Sequence, residues 1–142
     1  MIEYINFNNK VLAIVIRTQF QKEGIEFFTP NEFSQQLAYM KREKGYVIKP
    51  HVHNLIKRDV NVTQEVLLIK SGIVRVDFYN ENKVYLESRE LYKGDVILLA
   101  SGGHGFKMIE NSEIIEVKQG PYVQDLDKER FESVLEEDLN IL

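Results

Sequence analysis

Two histidines stand one residue apart in the stretch GYVIKPHVHN, and they are the clearest chemical feature of this chain. Side chains alternate faces along a β-strand, so His51 and His53 project the same way and can converge on one atom, a metal ion or a reacting substrate. A second same-face pair lies in the strand-like run IIEVKQG, where Glu116 and Lys118 are two residues apart. Facing inward, these two would bracket a ligand anion or serve as acid and base. Facing outward, they are a surface ion pair worth little. Alternation alone leaves both open. The chain has no cysteine, which excludes disulfides, thiolate metal sites and cysteine nucleophiles. Any metal must then be held by His, Asp, Glu and water, a donor set that suits Fe(II), Mn, Ni, Co or Zn.

The elements that must position these residues read as short strands at regular intervals. They are GYVIKPHVH, EVLLIKSG, IVRVDFYN, KVYLESREL, DVILLA, GFKMIE and SEIIEVKQG. Regular spacing with turn residues between is the pattern of a β-sandwich or barrel. Ser71-Gly72 and Asn80-Glu81-Asn82 supply residues that tolerate positive φ, and RVDFYNENKVYLES alternates polar and apolar on both arms of a hairpin. Upstream, Lys10 to Phe20 predicts a strand partly buried on both faces, and IEFF a short strand ending at Pro30. Thr29-Pro30 predicts at most one helical turn. QQLAYMKRE reads as strand or helix. After Pro121 the composition shifts, and Phe131, Val134 and Leu135 at helical spacing predict a C-terminal helix over about 125–140.

At 142 residues the chain is sized for one domain with a real core, taken here as 1–142. A hydrophobic content of 44% with 28% charged residues is ordinary for a globular protein. The net charge of −4 argues against nucleic acid, which would require a basic face. The N-terminus lacks the basic segment of a signal peptide, and VLAIVI is far shorter than the roughly 20 residues of a membrane span. The expectation is a cytoplasmic protein without a membrane partner.

Gly45, His51, His53, Glu65 and Gly72 resemble the first motif of the cupin superfamily, and Gly94, Gly102, His104 and Asn111 resemble its second. The segment between His53 and Glu65 is longer than the family's, Ala100 replaces the proline of the second motif, and His104 arrives one residue early. The resemblance covers roughly 36–122 and implies an all-β jelly-roll barrel, with a preference for strand in QQLAYMKRE. It implies a divalent metal held by His51, His53, Glu65 and His104, leaving up to two octahedral positions for water, substrate or dioxygen. If Glu65 faces inward, Leu67 and Ile69 line the interior with it, while Val66 and Leu68 face an added sheet or a subunit contact. EVKQGPY and SGGHGF are also similar to small bacterial cupins found among surface-sugar biosynthesis genes, which suggests a sugar or nucleotide sugar as ligand.

The resemblance implies three possible functions. The first is a metal-dependent cupin acting on a small polar molecule. The second is a metal-free nucleotide-sugar epimerase or ketoisomerase, with His51 and His53 as base and acid. The third is a non-catalytic sugar-binding or sensor barrel. Gln64, Tyr39, Tyr79 and Tyr85 are candidate pocket residues, with Arg75 and Lys49 as weaker ones. The apolar VLAIVI run together with Val66 and Leu68 predicts a twofold homodimer.

Overall fold

The computed structural model describes residues 1–124 and 126–142. The chain divides into two compact units, residues 1–20 with 63–142, and residues 21–62. Strands dominate the larger unit, and the smaller one holds a single hairpin.

The larger unit holds β1 (Ile2–Phe7), β2 (Lys10–Ile16), β5 (Glu65–Ser71), β6 (Ile73–Tyr79), β7 (Tyr85–Tyr92), β8 (Val96–Leu99), β9 (Gly103–Met108) and β10 (Glu113–Lys118). They form a five-stranded sheet in the order β1-β2-β8-β5-β10 and a three-stranded sheet in the order β7-β6-β9. All the pairings are antiparallel. From β5 onward the chain alternates between the sheets, except at the β6–β7 hairpin. Among the described residues the sheets keep free edges and do not close into a barrel.

The register explains the core. Glu65, Leu67 and Ile69 of β5 stand opposite Lys118, Glu116 and Ile114 of β10, and Leu67 stands opposite Ile97 of β8. Leu67, Ile69 and Ile97 belong to the buried core, with Ile114 packed against it. From the other sheet come Val74, Val76 and Phe78 of β6 and Leu91 of β7. These residues fix which face of each strand is inward. β2 is buried on both faces from Leu12 to Ile16, as its continuous apolar run predicts.

Turn chemistry sets the hairpins. Asn8 and Asn9, both at positive φ, make the tight β1–β2 turn. Asn80 accepts hydrogen bonds from the backbone N–H groups of Asn82 and Val84 through its side chain, so the β6–β7 loop is an Asx-type turn. Gly72, at φ 81°, carries the chain from β5 to β6, and a Cβ there would lie 2.3 Å from the carbonyl oxygen of Asn111. Only glycine fits.

Beyond Pro121 the expected helix does not form. Residue 125 lies outside the described residues, and 126–140 contains only a single 3-10 turn, Glu136–Asp138. The apolar residues that suggested a helix serve an extended strap instead. The Phe131 ring meets Tyr79 edge-on with centroids 4.9 Å apart, and the Val134 N–H donates to the Tyr79 hydroxyl at 3.0 Å. Ser88 of β7 exchanges backbone hydrogen bonds with Asn140 and Leu142, so the strap covers the outer edge of that strand. A helix would bond its own backbone groups and leave that edge open. Among the described residues no helix is long and apolar enough to cross a membrane.

The smaller unit holds the hairpin of β3 (Gly24–Phe27) and β4 (Ala38–Lys41). Its connection is pinned by Gln36, whose side chain accepts from the Thr29 hydroxyl and donates to the Pro30 and Phe33 carbonyls. QQLAYMKRE thus resolves as strand. Residues 42–62 have no regular structure. GYVIKPHVH is therefore not a strand here, in contrast to the expectation. Its composition suits one, but a strand exists only through a ladder partner, and none pairs with it among the described residues.

Candidate functional site

Glu65 begins β5, and Lys118 ends β10 directly opposite it. His104 sits on β9, opposite Phe78 of β6, and so points to the inward face of the other sheet. The two sheets thus present a carboxylate, an ammonium and an imidazole to one another. His104 Nε2 lies 3.1 Å from Glu65 Oε2, and Lys118 Nζ lies 3.7 Å from Glu65 Oε1. Lys118 is also 3.5 Å from Glu116 Oε1. Their register puts Glu116 and Lys118 on the same face as core residues Leu67 and Ile69, with Lys118 half-buried and Glu116 at the exposed rim.

Glu65 is 7% exposed, yet its carboxyl is held below the ordinary glutamate range. The hydrogen bond from His104 is the main cause. Burial pushes the other way, and the charges of His104, Lys118 and Lys128 add to the lowering. Lys118 is raised, chiefly by the charge of Glu116, with Glu65 adding to it against partial desolvation. At neutral pH Glu65 is ionised and Lys118 protonated. An ionised carboxylate only accepts, so Nε2 of His104 donates to Glu65, and the tautomer with its lone pair on Nδ1 keeps this bond. This is the arrangement in which a carboxylate orients an imidazole as a base.

The remaining candidates are placed as follows. His51 and His53 lie in the smaller unit, both exposed, with ring centroids 5.3 Å apart at 76°. His51 Nδ1 is 2.9 Å from the Lys49 carbonyl oxygen, so Nδ1 carries the proton and Nε2 the lone pair. The four residues of the expected metal set therefore divide two and two between the units. Among the described residues no three of His, Asp and Glu form a group that could hold an ion. Gln64 is buried, and its N–H donates to the Gln119 side chain at 2.6 Å. Tyr39 belongs to β4 of the smaller unit.

Tyr79, Tyr85 and Arg75 do not line this site. Tyr79 pairs with Gly103 and Arg75 with Lys107, on the face of the three-stranded sheet opposite to His104. There Arg75 makes a two-pronged ion pair with Asp77, at 2.8 and 3.0 Å. Ser88 donates to the same carboxylate, and the strap's Glu136 accepts from Arg75 and Lys107. Tyr85 bonds to Ser88 and accepts from the Asn140 N–H. These polar groups anchor the strap.

The sequence reading passed over Asp77, Ser88 and Asp95, all buried polar residues. Their signal was weak. A polar residue in an alternating strand is ordinarily solvated, and here the strap bonds to Ser88 and to Arg75, the partner of Asp77. Comparison with family models, with curated proteins and with solved structures finds no match for this chain.

Proposed function

We propose that this protein is a jelly-roll protein of the cupin type that moves a proton on a small, polar, carbonyl-bearing molecule, with a nucleotide-linked sugar as the first candidate. The observation that carries the proposal is the His104–Glu65 pair at 3.1 Å with Lys118 beside it. The alternation of β5 to β10 between two sheets in the orders β8-β5-β10 and β7-β6-β9 supports a jelly-roll winding.

The chemistry follows from the groups present. Nδ1 of His104 takes the proton from a carbon next to the substrate carbonyl. The C–H electron pair forms the carbon–carbon double bond of an enolate, and the carbonyl π electrons move onto oxygen. Lys118 hydrogen-bonds that oxygen and stabilises its growing charge. Glu65 holds the imidazolium during this step and never leaves its carboxylate form. Return of the proton to the opposite face of the same carbon gives epimerisation. Where that carbon carries a hydroxyl, the hydroxyl proton passes to the former carbonyl oxygen as the His104 proton returns to the former carbonyl carbon, and the carbonyl moves by one position.

The test is wash-in of solvent deuterium into nucleotide-linked keto sugars, followed by NMR in the presence of chelator. Exchange in the wild type that is lost in His104→Gln, and reduced at least a hundredfold in Lys118→Met, supports the proposal. Absence of exchange across a panel of such sugars overturns it.

A second reading takes a divalent metal bound by His51, His53, Glu65 and His104. It is favoured by the His104–Glu65 convergence and by the fixed Nδ1–H of His51, since a ligating imidazole ordinarily donates its other N–H to a carbonyl or carboxylate. The donor chemistry fits Fe(II), Mn, Ni, Co or Zn, although the Lys118 ammonium competes for Glu65. A bound metal would supply Lewis acidity or a dioxygen-binding centre. Elemental analysis of untagged protein separates the two readings. Stoichiometric metal, with a melting temperature lowered by chelator, selects this one.

A further inference from the structure

We propose that residues 45–62 form an exchange arm that docks on a second copy of this chain, lying as an added strand along the open edge of β9. The inference holds whichever chemistry the site performs.

The first observation is an unfinished core. His104, Phe106 and Met108 of β9 share the inward face with Phe78, Val76 and Val74. Val74 and Val76 are fully buried, yet Phe106 is 39% and Met108 47% exposed. One strand step takes the interior of the sandwich from sealed to open. β9 also has no ladder partner on its outer side among the described residues, whereas the outer edge of β7 is covered by Asn140, Ile141 and Leu142. A free edge carrying an apolar face is a template for another strand.

The second observation is the arm. Tyr46, Val47, Ile48, Val52, Leu55 and Ile56 are all exposed, Val52 at 88%. A soluble chain rarely leaves so much contiguous apolar side chain in water without a partner. The arm has no regular structure and no ladder partner among the described residues, so addition to an edge satisfies its backbone groups without dismantling anything. Pro50 lacks an N–H and is tolerated where one side of a strand faces solvent.

Charge supports the match. The arm carries Lys49, Lys57 and Arg58 against a single Asp59, while the stretch from β9 through β10 carries Glu110, Glu113 and Glu116 against Lys107 and Lys118, so the two are of opposite net sign. Each copy offers both the arm and the edge, so a twofold exchange satisfies both at once.

The natural absence of cysteine makes the test direct. One batch carries Val52→Cys and another Met108→Cys. The two are unfolded together, refolded and treated with a short bismaleimide. A two-chain species formed only in the mixture is expected, as is a dimer in sedimentation at micromolar concentration. Met108→Asp should weaken dimerisation at least tenfold while the far-UV strand signal stays unchanged. A monomeric wild type overturns the proposal. So does a dimer indifferent to Met108→Asp that gives no two-chain product, and so does a chain bearing both cysteines that links only to itself.

Discussion

Asp95 is the residue whose removal the fold should feel most. It is 1% exposed, in the turn between β7 and β8, and its carboxylate binds three donors. Oδ2 accepts from Arg17 Nη1 at 2.8 Å and from the Tyr92 N–H at 2.9 Å, and Oδ1 accepts from the Thr18 N–H at 2.8 Å. Asp95→Ala leaves the Thr18 and Tyr92 N–H groups without this acceptor in a part-buried place, at about 1–3 kcal/mol each before any relaxation. Arg17 keeps Glu3, at 2.6 and 3.2 Å, and that softens the loss of its second carboxylate. Breaking one side of a buried pair ordinarily costs about 3–5 kcal/mol, and retention of Glu3 places this case near 3. For the larger unit, about a hundred residues, such a loss lowers the melting temperature by roughly 10–20 °C.

Urea melts of wild type, Asp95→Ala and Asp95→Asn measure this. Asp95→Asn keeps an acceptor of the same shape and should lose about half as much. Arg17→Met combined with Asp95→Ala should cost less than the sum of the two single changes, because the second substitution removes a charge already stripped of its partner. A loss below about 1 kcal/mol for Asp95→Ala, or strict additivity, would refute the reasoning that this carboxylate is a buried, shared acceptor.

Two further expectations follow from the same geometry. Glu65 and Glu3 both have carboxyl groups held below the ordinary range, Glu65 chiefly by the His104 hydrogen bond, Glu3 by Arg17 and Arg89 against the opposing pull of burial; such groups stabilise fully above the unfolded value of about 4.3 and lose that contribution as pH falls through their lower folded values. Stability should therefore stay level from neutral pH to about 5 and decline below it, with a shallower decline in Glu65→Gln; an equal slope in the variant argues against the pairing. Gly72→Ala should destabilise by more than the roughly 1 kcal/mol of an ordinary glycine replacement, because its Cβ would meet the Asn111 carbonyl at 2.3 Å and its φ of 81° is left-handed; a thermal melt showing no shift would contradict the turn described for β5 and β6.

Much of the strand pattern was legible because period and turn chemistry agreed. EVLLIKSG, IVRVDFYN and KVYLESREL became β5, β6 and β7, with turns at Gly72 and Asn80 where expected. MIEYINF is not legible as a strand, although Asn8-Asn9 is a hairpin signal, because Tyr4 and Ile5 stand side by side and break its alternation. The C-terminal helix failed for a physical reason. Spacing records which residues meet an apolar surface, and the strap's Phe131 meets one in extended form. GYVIKPHVH failed for another. Strand propensity describes a fit to a neighbour, and a single sequence does not say whether that neighbour lies in the same chain.

The site shows the same division between local and non-local information. Alternation put His51 with His53 and Glu116 with Lys118, but only register could choose the face. The pairing of Lys118 with Glu65, residues far apart in sequence, made that choice through Leu67 and Ile69, which are buried beside them. Once the face is fixed, the chemistry is strongly constrained. A lysine and an imidazole share one buried carboxylate, each on its own oxygen. A cation placed at Glu65 must displace the Lys118 contact and the His104 proton together, so metal binding there would release protons and strengthen with rising pH. Proton transfer by His104 requires both contacts to stay in place. The two uses are mutually exclusive at Glu65, which is why metal content and chelator-resistant exchange, measured on one preparation, must move in opposite directions.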